Sequence, residues 1–169
     1  KIENNSLIKS DSKELTDNLT KKLKLKFSKK LIKKALLVQT PDSDQSSFHY
    51  AAGKRGRLYN YPPYGLALIA SQLRKIGIEV DILNLNHEVL KACRTSNSPD
   101  EFNFDKVWKT SLNDRIKNFG PDFVGVTSMF SQSHEILKQI TNEINNLNSQ
   151  IEIGVGGVHV TNSVSDENT

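Results

Sequence analysis

The sequence predicts an α/β domain in which a parallel β-sheet is covered by helices on both faces. Four short apolar segments have the composition of buried strands, and they begin at Ala35, Val80, Phe123 and Ile151. The segments between them carry apolar residues at helical spacing, and Pro-Pro and Gly-Pro pairs punctuate them. Strands that alternate with helices imply right-handed crossover connections and therefore a parallel sheet.

The first strand and the first helix are predicted on either side of a long polar loop. Residues 35–38 form a continuous apolar run. Residues 39–61 then make a loop whose length is uncommon inside compact domains unless the loop is functional or disordered. Pro62-Pro63 opens a helix that ends at Gly77, in the usual C-terminal glycine position. Its apolar residues share one face and are Leu66, Ile69, Ala70 and Leu73.

The rest of the sequence repeats this alternation. Strands are predicted at residues 80–83, 123–126 and 151–155, and the last one ends in Gly156-Gly157. Helices are predicted around residues 87–93 and 104–119 and at residues 133–147, where Ile136, Ile140, Ile144 and Leu147 align. We expect a doubly wound, flavodoxin-like (Rossmann-like) parallel sheet of strand order 2-1-3-4, in which a fifth strand is not evident.

The charge of the chain is concentrated in its first part. Residues 1–34 hold 11 lysines against four acidic residues, a net charge of +7, whereas the whole chain is +4 and the remainder is therefore −3. We interpret residues 1–33 as a basic, flexible leader and residues 34–169 as the α/β domain, cut short at its C-terminal side. The charge of the leader favours nucleic acid, a membrane surface or an acidic partner, although only Phe27 is aromatic, so base stacking has little support.

The composition indicates a cytoplasmic protein. Cys93 is the only cysteine, so no intrachain disulfide forms, and no apolar run reaches the length of a membrane-spanning helix or a secretory signal. The chain begins at Lys1 without a methionine and ends on polar residues, so we expect it to be a piece of a longer protein.

In a sheet of this order, a ligand site is expected in the loops that leave strands 1, 3 and 4 at their C-terminal ends, residues 39–61, 127–133 and 156–161. Gly156-Gly157 lets a backbone approach a bulky ligand, or simply makes a tight turn. Thr127 and Ser128 offer hydroxyls to a ligand, or cap the helix that starts near Ser133.

Several other kinds of site lack their signature. No glycine-rich phosphate loop occurs, no aspartate ends strand 3 as in a phospho-acceptor receiver, and the histidines lack metal-ligand spacing. His49 and His159 are the two that lie on site loops.

The sequence resembles the cobalamin-binding domain of B12-dependent radical S-adenosylmethionine enzymes. The resemblance covers about residues 35–163: the Pro-Pro and Gly-Leu helix opening of residues 61–77, the strand of residues 79–83, the block of residues 121–128, and the close on Gly156, Gly157 and His159. In related domains a Ser-x-Leu segment ends strand 3 and a Gly-Gly ends strand 4. Here Thr127-Ser128-Met129 and Gly156-Gly157 stand at those places.

The resemblance implies a corrinoid, cobalamin, whose nucleotide tail runs beside the sheet. The implied cofactor-binding residues are Tyr64, Gly65, Thr127, Ser128, Met129, Gly156, Gly157, Val158 and His159. It also implies that the full protein is a methyltransferase or cyclase-like enzyme, with a 4Fe-4S cluster, S-adenosylmethionine and a radical SAM catalytic domain in the same or a partner chain. No Cys-x-x-x-Cys-x-x-Cys motif is present, so this chain is expected to bind and not to catalyse, and its substrate is not readable.

One departure concerns the cobalt ligand. Cobalamin mutases and methionine synthases carry Asp-x-His-x-x-Gly after strand 1, where the histidine binds cobalt from below. This sequence offers only His49, without the aspartate and with Gly53 one residue late, so we predict that no protein residue binds the metal.

Two alternatives remain open at this level. One is a cofactor-free regulatory or interaction module of the same fold. The other is a flavin- or nucleotide-binding domain, in which hydroxyls of the first loop would cradle a phosphate, although the loop lacks the glycine and the helix start that such a cradle needs. These hydroxyls belong to Thr40, Ser43, Ser46 and Ser47.

Overall fold

The computed structural model describes residues 31–166 together with residues 17, 18 and 21. The chain divides into two units, residues 1–32 and residues 33–169, and the strands and helices given below belong to the second. The predicted leader, residues 1–33, lies almost wholly outside the described residues, so its basic, flexible character stays a prediction.

The described residues form one parallel four-stranded sheet of order β2-β1-β3-β4, which confirms the predicted fold class. Its strands are β1 (Lys34–Gln39), β2 (Glu79–Asn84), β3 (Phe123–Thr127) and β4 (Glu152–Gly156). The register aligns Gln39 with Asn84 on one side and with Thr127 on the other, and Thr127 with Gly156. The four strands therefore end at the same level and form one carboxyl edge.

Helices connect the strands and follow the last one. They are α1 (Tyr50–Lys54), α2 (Tyr64–Lys75), α3 (Leu85–Thr95), α4 (Phe104–Phe119), α5 (His134–Leu147) and α6 (Val158–Asp166), with a 3-10 turn at Ser131–Ser133. The prediction of a loop over residues 156–161 was wrong, because α6 begins at Val158, one residue after Gly157. No helix in the described part of the chain is both long and apolar enough to cross a membrane.

Alternating strand residues build the two faces of the core. Leu36, Val38, Val124 and Val126 are buried against α3, α4 and α5, where Trp108 is the largest fully buried side chain. On the other face Ala35 and Leu37 pack against Leu66 and Ala70 of α2. Ile69, predicted on the same helical face, is 50% exposed, so α2 leaves apolar surface uncovered beside the carboxyl edge.

The long segment after β1 is ordered by aromatic packing. Phe48 lies 5.3 Å from Phe102 and 5.2 Å from Phe104 between ring centroids, and Tyr50 lies 5.6 Å from Phe102. Gly53 of α1 is buried, and a Cβ there would lie 3.0 Å from the Cys93 sulfur. The predicted loop of residues 39–61 thus holds a short helix that packs against α3.

Candidate functional site

A cleft of about 450 Å³ opens at the carboxyl edge, on the side of the sheet that α2 covers. We call it the apolar cleft, because aromatic and aliphatic side chains dominate its wall. The ends of β1 and β3, the first turn of α2 and the start of α6 surround it. Its lining residues are Gln39, Asp42, Tyr61, Pro62, Pro63, Tyr64, Gly65, Leu66, Ile69, Thr127, Met129, Phe130, Gly157 and Val158.

The structure brings most of the sequence-predicted site residues to this one cleft. Those that line it are Tyr64, Gly65, Thr127, Met129, Gly157 and Val158. Ser128, Gly156 and His159 do not line it. These three residues make other contacts with the rest of the protein.

Ser128 turns its hydroxyl into the protein. Its side chain is fully buried, and its Oγ lies 2.9 Å from the Oγ of Ser133, which in turn donates to the Phe130 carbonyl at 2.6 Å. The backbone amide of Ser128 donates to the Gly156 carbonyl at 3.0 Å. These bonds fix the turn between β3 and α5, and they hold Met129 and Phe130 at the cleft.

The two adjacent glycines differ in what surrounds them. Gly157 has a φ of +102°, and a Cβ there would overlap the carbonyl oxygen of Ser128 and lie 2.8 Å from Thr127 Oγ1. Gly156 has no positive φ and nothing within 4 Å of an added Cβ. Gly157 therefore makes room for the protein's own β3 turn, and only Gly156 leaves open space. An alanine at position 157 would therefore disturb this turn.

Gly156 lies beside the apolar cleft even though it does not line it. It pairs with Thr127 in the parallel register, and partners in register point to the same face of a sheet. An added Cβ at Gly125 or Gly154 would meet the Phe123 ring on the face of Leu37, so this is the face that α2 covers. A side chain at position 156 would thus stand next to Thr127, which lines the cleft.

His159 is paired with another histidine. Its Nε2 lies 2.8 Å from Nδ1 of His134, and His134 is exposed while His159 is half-buried. No local pattern predicted this pair, because 25 residues separate the two histidines. Within the described residues, no group of three or more His, Cys, Asp and Glu side chains is arranged to hold a metal ion.

A second cleft of about 390 Å³ adjoins the first and shares Asp42, Tyr61 and Phe130 with it. We call it the polar cleft. The loop after β1, the segment after α1 and the start of α3 form most of its wall. Its other lining residues are Ser43, Ser47, Phe48, His49, Arg57, Leu58, Tyr59, Asn86, Leu90 and Gln132.

Asp42 and Asn86 are paired where the two clefts meet. Asn86 Nδ2 donates to Asp42 Oδ2 at 3.0 Å, and the Asp42 amide donates to Asn86 Oδ1 at 3.3 Å. Burial raises the pKa of the Asp42 carboxyl, and the hydrogen bond from Asn86 opposes this shift. Asp42 is thus a partly desolvated acid held at the mouth of both clefts.

The serine hydroxyls of the first loop are occupied by an aspartate. Ser46 Oγ and Ser47 Oγ donate to Asp44 Oδ1 at 2.8 and 2.6 Å, and the Ser47 amide donates to the same oxygen. These bonds, led by that from the Ser47 side chain, lower the pKa of Asp44. The hydroxyls of Ser46 and Ser47 therefore already donate to a carboxylate, so these two of the four hydroxyls give no support to a phosphate cradle.

The structure also changes the comparison with the Asp-x-His-x-x-Gly motif. His49 is exposed and lines the polar cleft, while Gly53 is buried against Cys93 and away from either cleft. The glycine in the first turn of α2, the longer helix between β1 and β2, is Gly65, and counting back three residues from it places Pro62 at the histidine position of the motif. Pro62 lines the apolar cleft and has no side-chain nitrogen that can bind a metal.

Asp42 and Phe130 line both clefts, but neither residue was predicted as a site residue from the sequence. Asp42 follows the strand end by three residues and was one polar residue among many in that loop. Phe130 is 46% exposed beside Met129, and two large apolar residues immediately after a strand end were the signal that could have identified it.

Comparison with known proteins agrees with this geometry. Residues 55–168, more than half of the chain, match the B12 binding domain family. A cytidylyl-2-hydroxyethylphosphonate methyltransferase of Streptomyces wedmorensis is 29% identical over 97 residues, which are 57% of this chain and 18% of that protein. The chain therefore spans less than a fifth of the length of that relative. No solved structure matches significantly. With a family match of this extent on the predicted fold, the chain belongs to the B12-binding domain family.

Proposed function

We propose that this domain binds cobalamin across the carboxyl edge of its sheet, with the nucleotide tail of the cofactor in the apolar cleft. The observation that carries the proposal is the cleft itself, most of whose lining residues fall within the family-matched range. Cofactor sites typically have volumes of about 300–1,000 Å³, mainly apolar walls and a few placed polar groups. The apolar cleft has these properties.

The residues of the cleft fit an aromatic base that carries a sugar phosphate. Leu66 and Ile69 offer apolar surface, and Gly65 leaves the wall open because an added Cβ there would meet nothing within 4 Å. Thr127 and Gln39 bring a hydroxyl and an amide to the sheet edge. In this role the chain binds the tail, orients the macrocycle and excludes water, while the bound cofactor supplies the cobalt chemistry.

We further propose that the domain serves a B12-dependent radical SAM methyltransferase. The support is the ordered set of motifs between residues 35 and 163 and the similarity to a protein named as a methyltransferase. The 4Fe-4S cluster, S-adenosylmethionine and the catalytic residues would then lie on a radical SAM domain of the same or a partner chain.

Titration with hydroxocobalamin tests the binding proposal. The wild-type chain should show a saturable change in the corrinoid absorbance spectrum. Gly65→Trp should raise the Kd about fivefold, close to 1 kcal/mol, because the indole narrows the mouth of the apolar cleft. Ala67→Trp is the matched control, since Ala67 is exposed on the same helix but does not line the cleft.

Two results would contradict the proposal in different ways. A wild-type spectrum that does not change on titration would argue against cobalamin binding altogether. Equal Kd values for Gly65→Trp, Ala67→Trp and the wild-type chain would support cobalamin binding but contradict the placement of the tail in the apolar cleft.

The cobalt is expected to have no protein ligand. Electron paramagnetic resonance of the reduced cob(II)alamin complex should show no nitrogen superhyperfine splitting, because the lower base of the cofactor would be displaced from cobalt with the tail in the apolar cleft, and Pro62 offers no nitrogen in its place. The spectrum of His49→Ala should be the same as that of the wild-type complex. Splitting that is present in the wild type and lost in His49→Ala would show that His49 binds the metal.

A further inference from the structure

The polar cleft combines charges of both signs with neutral hydrogen-bonding groups. Arg57 contributes a guanidinium, and Asp42 contributes a partly buried carboxyl. The side-chain amide of Gln132 and the hydroxyl of Ser43 complete the set, because the Asn86 amide is engaged with Asp42 and the Ser47 hydroxyl with Asp44. A site for a simple anion would not place a carboxylate in its wall, and a site for a simple cation would not place a guanidinium there.

A ligand that both donates and accepts hydrogen bonds suits this cleft. A primary carboxamide does so, because its NH₂ group donates and its carbonyl oxygen accepts. The Asp42 carboxylate can accept from the NH₂ group, and the Arg57 guanidinium can donate to the carbonyl oxygen. The Oδ2 oxygen of Asp42 already accepts a hydrogen bond from Asn86, and this bond holds the Asp42 side chain in place.

The position of the polar cleft connects it to the cofactor. Asp42, Tyr61 and Phe130 border both clefts, so the two open side by side along the carboxyl edge. If a tail occupies the apolar cleft, the polar cleft, which shares these three lining residues, is the neighbouring surface available to the rim of the attached macrocycle. The rim of a corrin carries acetamide and propionamide side chains, which are primary carboxamides.

We propose that the polar cleft is a separate subsite that binds the carboxamide-bearing rim of the corrin, with Asp42 as acceptor and Arg57 as donor. This inference rests on the proposed function and adds a second point of recognition to it. The two subsites bind different parts of the cofactor: the apolar cleft binds the nucleotide tail, and the polar cleft binds the ring.

Cobinamide separates the two subsites, because it keeps the corrin ring and its amides but lacks the nucleotide. Dissociation constants of cobalamin and cobinamide are measured by absorbance titration for the full chain. Arg57→Ala and Asp42→Asn should each weaken both corrinoids at least fivefold. Asp42→Asn is nearly isosteric and keeps an oxygen for the Asn86 amide, so the loop should retain its fold, which the thermal midpoint checks.

Arg55→Ala is the matched control, since it removes the same charge from the same segment outside the polar cleft. It should bind both corrinoids as the wild-type chain does. Unchanged cobinamide affinity in Arg57→Ala and Asp42→Asn would overturn the inference and leave the proposed function standing. An equal loss in Arg55→Ala would also overturn it, because general charge would then explain the effect. A wild-type chain that binds neither corrinoid would overturn the proposed function as well.

Discussion

Replacing Gly157 with alanine should lower the free energy of unfolding by about 3 kcal/mol, which corresponds to a fall of about 10 °C in Tm. Two causes act together. The φ of +102° is one that L-residues rarely adopt, at a cost of about 1–3 kcal/mol. In addition, the new Cβ would overlap the Ser128 carbonyl oxygen, so the turn that carries Met129 and Phe130 has to move.

Gly77→Ala separates these two causes. Gly77 has a φ of +86°, but nothing lies within 4 Å of an added Cβ, so this variant adds the backbone strain without the overlap. Thermal unfolding followed by circular dichroism should therefore rank the chains as wild type, Gly77→Ala and Gly157→Ala, in order of falling stability. A Gly157→Ala variant as stable as Gly77→Ala would show that the turn after β3 can shift to accommodate the new Cβ with no loss in the free energy of unfolding.

The sequence predicted the sheet well, and β1 most clearly, because this central strand is buried on both faces. Continuous apolar runs such as Ala35–Val38 and the glycine and proline breaks around them are local signals, and α4 begins and ends where its pattern indicated. The start of α6 was not predicted, because its local sequence does not favour a helix. Val158 and Val160 are β-branched residues with low helix propensity, and α6 forms directly after the turn at Gly157.

Within the site, the sequence predicted which residues would gather at the edge but not which way they point. Thr127 and Ser128 are adjacent and chemically alike, yet Thr127 lines the apolar cleft while Ser128 bonds to Ser133 inside the protein. The pairing of Asp42 with Asn86 joins residues 44 positions apart. Such a contact depends on how two loops pack, and no local pattern in the sequence records it.

The same limit applied to the two glycines at the end of β4. A Gly-Gly pair indicates close approach by something, and the sequence does not say by what. The structure assigns the approach at Gly157 to the protein's own backbone and leaves Gly156 with open space on the cleft side of the sheet. A test of the ligand must therefore be made at Gly156, because a loss of binding at Gly157 would be confounded with a loss of folding.

Gly156→Val should weaken cobalamin binding at least tenfold, about 1.4 kcal/mol, and leave cobinamide binding close to that of the wild-type chain. The branched side chain would stand beside Thr127, where the tail enters the apolar cleft, and cobinamide has no tail to meet it. Folding should be preserved, since valine suits a strand and nothing lies within 4 Å of the new Cβ.

Val155→Leu provides the control for added bulk at this strand end. Val155 precedes Gly156, points to the opposite face and is 50% exposed, so the larger side chain adds volume away from the cleft. It should bind cobalamin with the wild-type Kd. Selective loss of cobalamin in Gly156→Val alone is the result that places the tail on the α2 side of β3 and β4. Equal loss of both corrinoids in Gly156→Val would instead put the ring there, and full retention of cobalamin would leave that face of the sheet without a ligand.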